Sequence, residues 1–177
     1  ALAAYDVLLN DVSPERVKSG LATINGNMAR QVGAGKMTEA ERTAALARIA
    51  PAAGYDALAA ADLVIEAAVE DESVKRDILR NASLALKPQA LLATNTSSIS
   101  ITRLAAATDR PEKFIGIHFM NPVPMMALVE IIRGIATADD TFRAATDFVA
   151  TLGKTSTLAE DFTAFIVKRI LLPLINE

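Results

Sequence analysis

The stretch FIGIHFMNPVPMMALVEIIRG, residues 114–134, holds two apolar runs, 114–119 and 128–134, on either side of a loop containing Pro122 and Pro124. Short, nearly continuous apolar runs bounded by turn residues read as buried strands. His118, the single histidine of the chain, ends the first run, and Glu130 lies inside the second. If the two strands pair antiparallel, the carboxylate can reach the imidazole across the ladder. Two roles fit such a histidine. It can be a core residue bonded to a backbone carbonyl, or a proton acceptor at the mouth of a site, where its ordinary affinity for protons suits neutral pH.

Outward from this stretch, apolar runs alternate with amphipathic ones. DVLLN (6–10), DLVIEA (62–67) and ALLATN (90–95) read as further buried strands, and KTSTLAED as a short strand near the end. Their continuous hydrophobicity suits a sheet covered on both faces. Helices are expected over 14–31, with Ser13 as N-cap and Pro14 in the first turn, and after Thr38, where Glu41 completes a capping box. More are expected over 71–86, ahead of a Lys-Pro stop, from about Ser100, and over 139–153, closing on Gly153. Strand, helix, strand, helix is the order of a doubly wound α/β sheet. The last residues, AFIVKRILLPLINE (164–177), are apolar on nearly every side, as a helix surrounded by partners would be.

Composition narrows the function. The 177 residues suffice for one domain with a real core. A net charge of −3 with mixed signs gives no electrostatic footprint for nucleic acid. The most apolar segment is broken by Lys168, Arg169 and Pro173, so no membrane partner is expected. With no cysteine and one histidine, neither a disulfide nor a zinc site is expected, and a reducing cytoplasm fits.

Several residues sit where open α/β sheets bind ligands, beyond the carboxyl ends of strands. Asp11 ends the first strand of the chain, where an acid can accept from ribose hydroxyls; a turn aspartate opening DVSPE is the alternative. Such an acid ordinarily follows a glycine-rich turn by roughly 20 residues. Ten residues precede Asp11 and none is glycine, so the first strand and that turn are expected ahead of residue 1. Ser97 lies just past a strand end and could donate to a substrate oxygen, or cap a helix, although Ser98 and Ser100 are also available for capping. Glu70 and Lys75 stand at a strand-to-helix junction, where an acid is also expected on helix-dipole grounds alone. Asn121, biased by Pro122 to extended or turn geometry, suits turn chemistry or a contact to the histidine loop or a substrate carbonyl.

The elements TNTSS (94–98) and HFMNPVP (118–124), taken together, resemble the NAD-dependent 3-hydroxyacyl-CoA dehydrogenases of the 3-hydroxybutyryl-CoA type, and the resemblance runs from about residue 5 to the last. It implies NAD as cofactor, an acyl-CoA substrate, and a homodimer formed through a helical domain in the complete protein. It implies His118 as catalytic base, Glu130 as its partner and Ser97 as a contact to substrate and cofactor. Asn121 and Lys168 would lie on the substrate side, and Asp11, Glu70, Lys75 and Asn95 on the cofactor side. The implied fold is α/β: a Rossmann-like, doubly wound, mostly parallel sheet, incomplete at its N-terminus, followed by the first helix of an all-α domain. The NAD-binding domain would span 1–161 and the start of the helical domain 162–177.

Three positions depart from the family pattern: Ala4 replaces a glycine, Thr163 a proline and Lys168 an asparagine. The last places a cation where the family has a neutral amide beside substrate and base. An inactive or non-catalytic relative is the competing expectation. A β-hydroxyacid dehydrogenase, which relies on a lysine base and lacks HFMNP, fits less well.

Overall fold

The computed structural model describes residues 1–162 and 165–167 and divides them into two compact units, 1–58 and 59 onward. In the first unit, β1 (Val7–Asn10) pairs parallel with β2 (Ile49–Ala52). The connection consists of α1 (Pro14–Gly33) and α2 (Glu39–Leu46). Ser13 caps α1 and the Thr38/Glu41 capping box starts α2, both as the sequence predicts. The strand β2 was not expected. IAPA is short, and Pro51 has no N–H to give a ladder, so no local pattern marks it. Ala4 adopts φ 65, the left-handed region where a Cβ costs about 1 kcal/mol and glycine is favoured. That is the physical content of the glycine expected here.

The second unit is a five-stranded sheet in the order β3-β4-β5-β6-β7. The strands are β3 (Leu63–Glu66), β4 (Leu91–Thr94), β5 (Phe114–Phe119), β6 (Leu128–Arg133) and β7 (Thr155–Glu160). All neighbours are parallel except β5 and β6. The crossovers are α3 (Glu72–Ala85) between β3 and β4, α4 (Ile101–Ala105) between β4 and β5, and α5 (Asp139–Thr151) between β6 and β7. This is the Rossmann-like, mostly parallel arrangement that the strand–helix alternation predicts. The segment near Ser100 yields only five helical residues. The expected helix over 164–177 lies outside the described residues, apart from 165–167.

Side-chain alternation sorts the sheet's two faces. Ile115 and Ile117 of β5 join Val129 and Ile131 of β6 and Ala145 and Val149 of α5 in one core. Each such fully buried isoleucine contributes about 1.5–3 kcal/mol. The opposite face of β5 carries Gly116 and His118. A Cβ on Gly116 would stand 2.8 Å from Ile101 Cδ1, so glycine is what lets α4 pack against the strand. A buried Arg110 guanidinium donates to the carbonyls of Ser83, Leu86, Lys87 and Ala90 and closes the turn that launches β4.

Candidate active site

Because β3, β4 and β5 are parallel neighbours, their carboxyl ends lie side by side, and the residues just beyond them share one rim of the sheet. β6 runs the opposite way, so its first residues lie along the last of β5. His118 and Glu130 are direct register partners. Their side chains meet: Nδ1 of His118 is 2.8 Å from Oε2 of Glu130. The expected approach across an antiparallel ladder is met by the register itself.

Glu130 is 1% exposed, and all of its contacts are donors. Its second oxygen, Oε1, accepts the backbone N–H of Ile166 at 3.0 Å and of Val167 at 2.8 Å. An ionised carboxylate only accepts, so a neutral imidazole paired with it carries its proton on Nδ1 and its lone pair on Nε2. His118 itself is 8% exposed, with the ring of buried Phe165 tilted beside it at 6.0 Å between centroids. The imidazole is thus fixed on one side and not sealed in the hydrocarbon core.

A second polar group gathers past β3 and β4. Glu70 Oε1 accepts from the Thr96 hydroxyl at 2.6 Å, the Ser97 N–H at 2.9 Å, the Ser97 hydroxyl at 3.2 Å and the Ser98 hydroxyl at 3.1 Å. Partial burial raises its proton affinity. The hydrogen bonds from Thr96, Ser97 and Ser98 and the nearby Lys75 ammonium outweigh that and hold its pKa at about 2. Ser97 therefore does not cap a helix; Ser100 does that for α4. Asn95 Oδ1 accepts the Phe119 N–H at 2.9 Å, tying the end of β4 to the residue after the histidine.

Lys75 is 1% exposed. Its ammonium meets Glu66 at 2.9 and 3.1 Å, the Ala68 carbonyl at 3.3 Å and Glu70 Oε2 at 3.6 Å. It faces carboxylates inside the fold, and its connection to the rim runs through Glu70. Glu66, 4% exposed, also accepts from the Thr94 hydroxyl at 2.6 Å. Sequence reasoning passed over Glu66 and, although Thr94 and Thr96 lie in TNTSS, gave neither a role. The available signal was an acid closing the apolar run LVIE, nine residues before a lysine. Asp11, in the other unit, is exposed just after β1, where its Oδ1 accepts the Val12 N–H at 2.7 Å. Asn121 is exposed in the loop after β5 and precedes Pro122 across a cis peptide bond. Lys168 and Thr163 lie outside the described residues. Among the described residues no three metal-ligating side chains converge, and no helix is long and apolar enough to cross a membrane.

A mostly parallel α/β sheet with acids, hydroxyls and an oriented imidazole at its carboxyl rim is the arrangement in which doubly wound, dinucleotide-binding folds hold their ligands. The comparisons with known proteins narrow this. Residues 1–162 match the family described as 3-hydroxyacyl-CoA dehydrogenase, NAD binding domain, and the chain belongs to that family, whose cofactor is NAD. It is 66% identical over its whole length to a 3-hydroxybutyryl-CoA dehydrogenase of Bradyrhizobium diazoefficiens and spans 60% of that relative. The crystal structure of (S)-3-hydroxybutyryl-CoA dehydrogenase PaaH1 from Ralstonia eutropha superposes with a TM-score of 0.96 at 44% identity, over 99% of this chain and 62% of that one. The 3-hydroxybutyryl-CoA dehydrogenase of Escherichia coli K12 gives 0.93 at 39% identity, over 97% of this chain and 36% of that one.

Proposed function

We propose that this chain supplies the base and the cofactor side of a 3-hydroxyacyl-CoA dehydrogenase, which oxidises a (3S)-3-hydroxyacyl-CoA to the 3-ketoacyl-CoA with NAD, or runs the reverse. The observation that carries the reading is the 2.8 Å contact between Nδ1 of His118 and a buried carboxylate. It leaves Nε2 as a lone pair able to take the hydroxyl proton of the substrate. Glu130 holds the tautomer and offsets the charge of the imidazolium that forms. NAD, when bound, accepts the hydride released from the same carbon. Ser97 turns its one hydroxyl proton from Glu70 to the substrate oxygen, where charge develops, and Asn121 contacts the substrate from the loop.

The residues present fit NAD. Asp11 offers an exposed carboxylate at a strand end for ribose hydroxyls. In the second unit Glu70, kept ionised by its hydroxyl neighbours, follows β3 and Asn95 follows β4, and the Lys75 ammonium lies 3.6 Å from Glu70. Lys168 is assigned to the substrate side on the resemblance alone. There its cation would hinder turnover, and Lys168→Asn would raise it. The same proposal divides the chain into an NAD-binding domain over 1–161 and the start of a helical domain from 162. A homodimer and a cytoplasmic setting complete it, on the resemblance and the absence of cysteine.

The test is formation of NADH from (3S)-3-hydroxybutyryl-CoA, with wild type against His118→Gln. Loss of a general base lowers kcat by about 10²–10⁴. A His118→Gln enzyme within about threefold of wild type would remove the assignment.

A further inference from the structure

Glu130 is shared between two partners. One oxygen orients His118, and the other receives two backbone amides, Ile166 at 3.0 Å and Val167 at 2.8 Å, from a segment 36 and 37 residues downstream. That segment is itself anchored. Asp161, just after β7, accepts from the Ser100 hydroxyl at 2.9 Å and from the Ile101 and Thr102 N–H groups at 2.8 Å each. Between the two anchors Phe165 is 3% exposed and adopts φ 47, a left-handed backbone that a bulky side chain adopts only when its surroundings compel it. Its ring lies beside the imidazole.

We infer that the backbone of Ile166 and Val167 is a positioning element for the proton acceptor. Its two amides fix the Glu130 carboxylate, and through it the ring plane and tautomer of His118. A carboxylate with one oxygen free could rotate about its terminal torsion, which is soft. With both oxygens engaged it has one orientation. The chain after β7 is thereby coupled to the base, so a shift of residues 165–167 disengages the dyad without touching either of its side chains.

The kinetic arm of the test rests on the dehydrogenase reading, and the spectroscopic arm on geometry alone. Val167→Pro deletes the closer donor, the Val167 N–H. The readouts are the Nδ1–H proton signal of His118, assigned by its disappearance in His118→Gln, and the split between kcat and KM. Expected are loss of that signal through fast solvent exchange, a fall in kcat of roughly ten- to hundredfold, and a KM for the acyl-CoA changed by less than about threefold. Should the proline variant fail to fold, the α-hydroxy analogue of valine at 167, incorporated during translation, replaces only the N–H by an oxygen and gives the same expectation. If the N–H-deleted chain keeps the wild-type signal and kcat within about twofold, the inference is overturned. A wild-type protein without turnover would sink the function reading, and the proton signal then decides the inference by itself.

Discussion

Glu130→Gln is the sharpest perturbation available, because it changes charge and donor pattern while keeping shape. The carboxamide oxygen can still accept from Ile166 and Val167, as Glu130 Oε1 does. Its amino group then points at Nδ1 of His118 from about the present 2.8 Å. Two donors cannot share that contact, so the imidazole changes tautomer. Nδ1 becomes the acceptor and the proton moves to Nε2, where the substrate hydroxyl needs a lone pair. Restoring the active tautomer gives up one buried hydrogen bond, about 1–3 kcal/mol, and leaves two donors facing one another, about as much again. The sum is about 4 kcal/mol, or a loss of about 10³-fold in kcat at roughly 1.4 kcal/mol per tenfold. Every buried group keeps a partner, so stability should change by less than about 1 kcal/mol. The assay is NADH formation with kcat and KM resolved, accompanied by a urea unfolding curve. A Glu130→Gln enzyme retaining more than about a tenth of wild-type kcat would refute the tautomer argument. An unfolded one would refute the claim that the amide satisfies the site.

Three other outcomes are expected. Glu70 has its folded pKa lowered from 4.5 to about 2, so its ionised contacts contribute stability above pH 4.5 that disappears as the pH falls through about 2. Its side chain is 39% exposed, and solvent screening reduces the contribution to about 1 kcal/mol. Urea midpoints of wild type and Glu70→Gln should therefore differ at pH 7 and converge near pH 2, and a gap independent of pH would contradict this. Glu66→Gln leaves the Lys75 ammonium buried without its nearest full charge and should cost about 3–5 kcal/mol, read from the same urea curves. Gly116→Ala pushes a methyl group into Ile101 and Ile132 at 2.8 and 3.0 Å and should cost about 1–3 kcal/mol, with a matching drop in Tm. A neutral substitution there would mean that α4 yields easily.

Much of this molecule is legible along the chain because the relevant physics is local. Apolar runs of four to six residues, the Thr38/Glu41 capping box and Ser13 before Pro14 mark their elements wherever the rest of the chain lies. The pairing of His118 with Glu130 is nearly local too: two adjacent strands joined by a short proline-bearing loop admit few registers, and the observed one sets the two residues opposite each other. Other features carry no such mark. β2 is too short and too poor in β-branched residues to be seen without β1 beside it. Glu66 looks like an odd acid in a strand until α3 brings Lys75 over it.

The sequence by itself determined the alternation of strands and helices, the lone imidazole and the acid that meets it, since these depend on spacing and side-chain chemistry. Only the tertiary structure decided that Lys75 turns inward, that Glu70 gathers three hydroxyls, and that Glu130 and Asp161 hold a segment from far along the chain. The reason is that those bonds join residues 5 to 61 positions apart, and only a folded sheet, which places neighbouring strand ends a few ångströms from one another, sets such partners face to face.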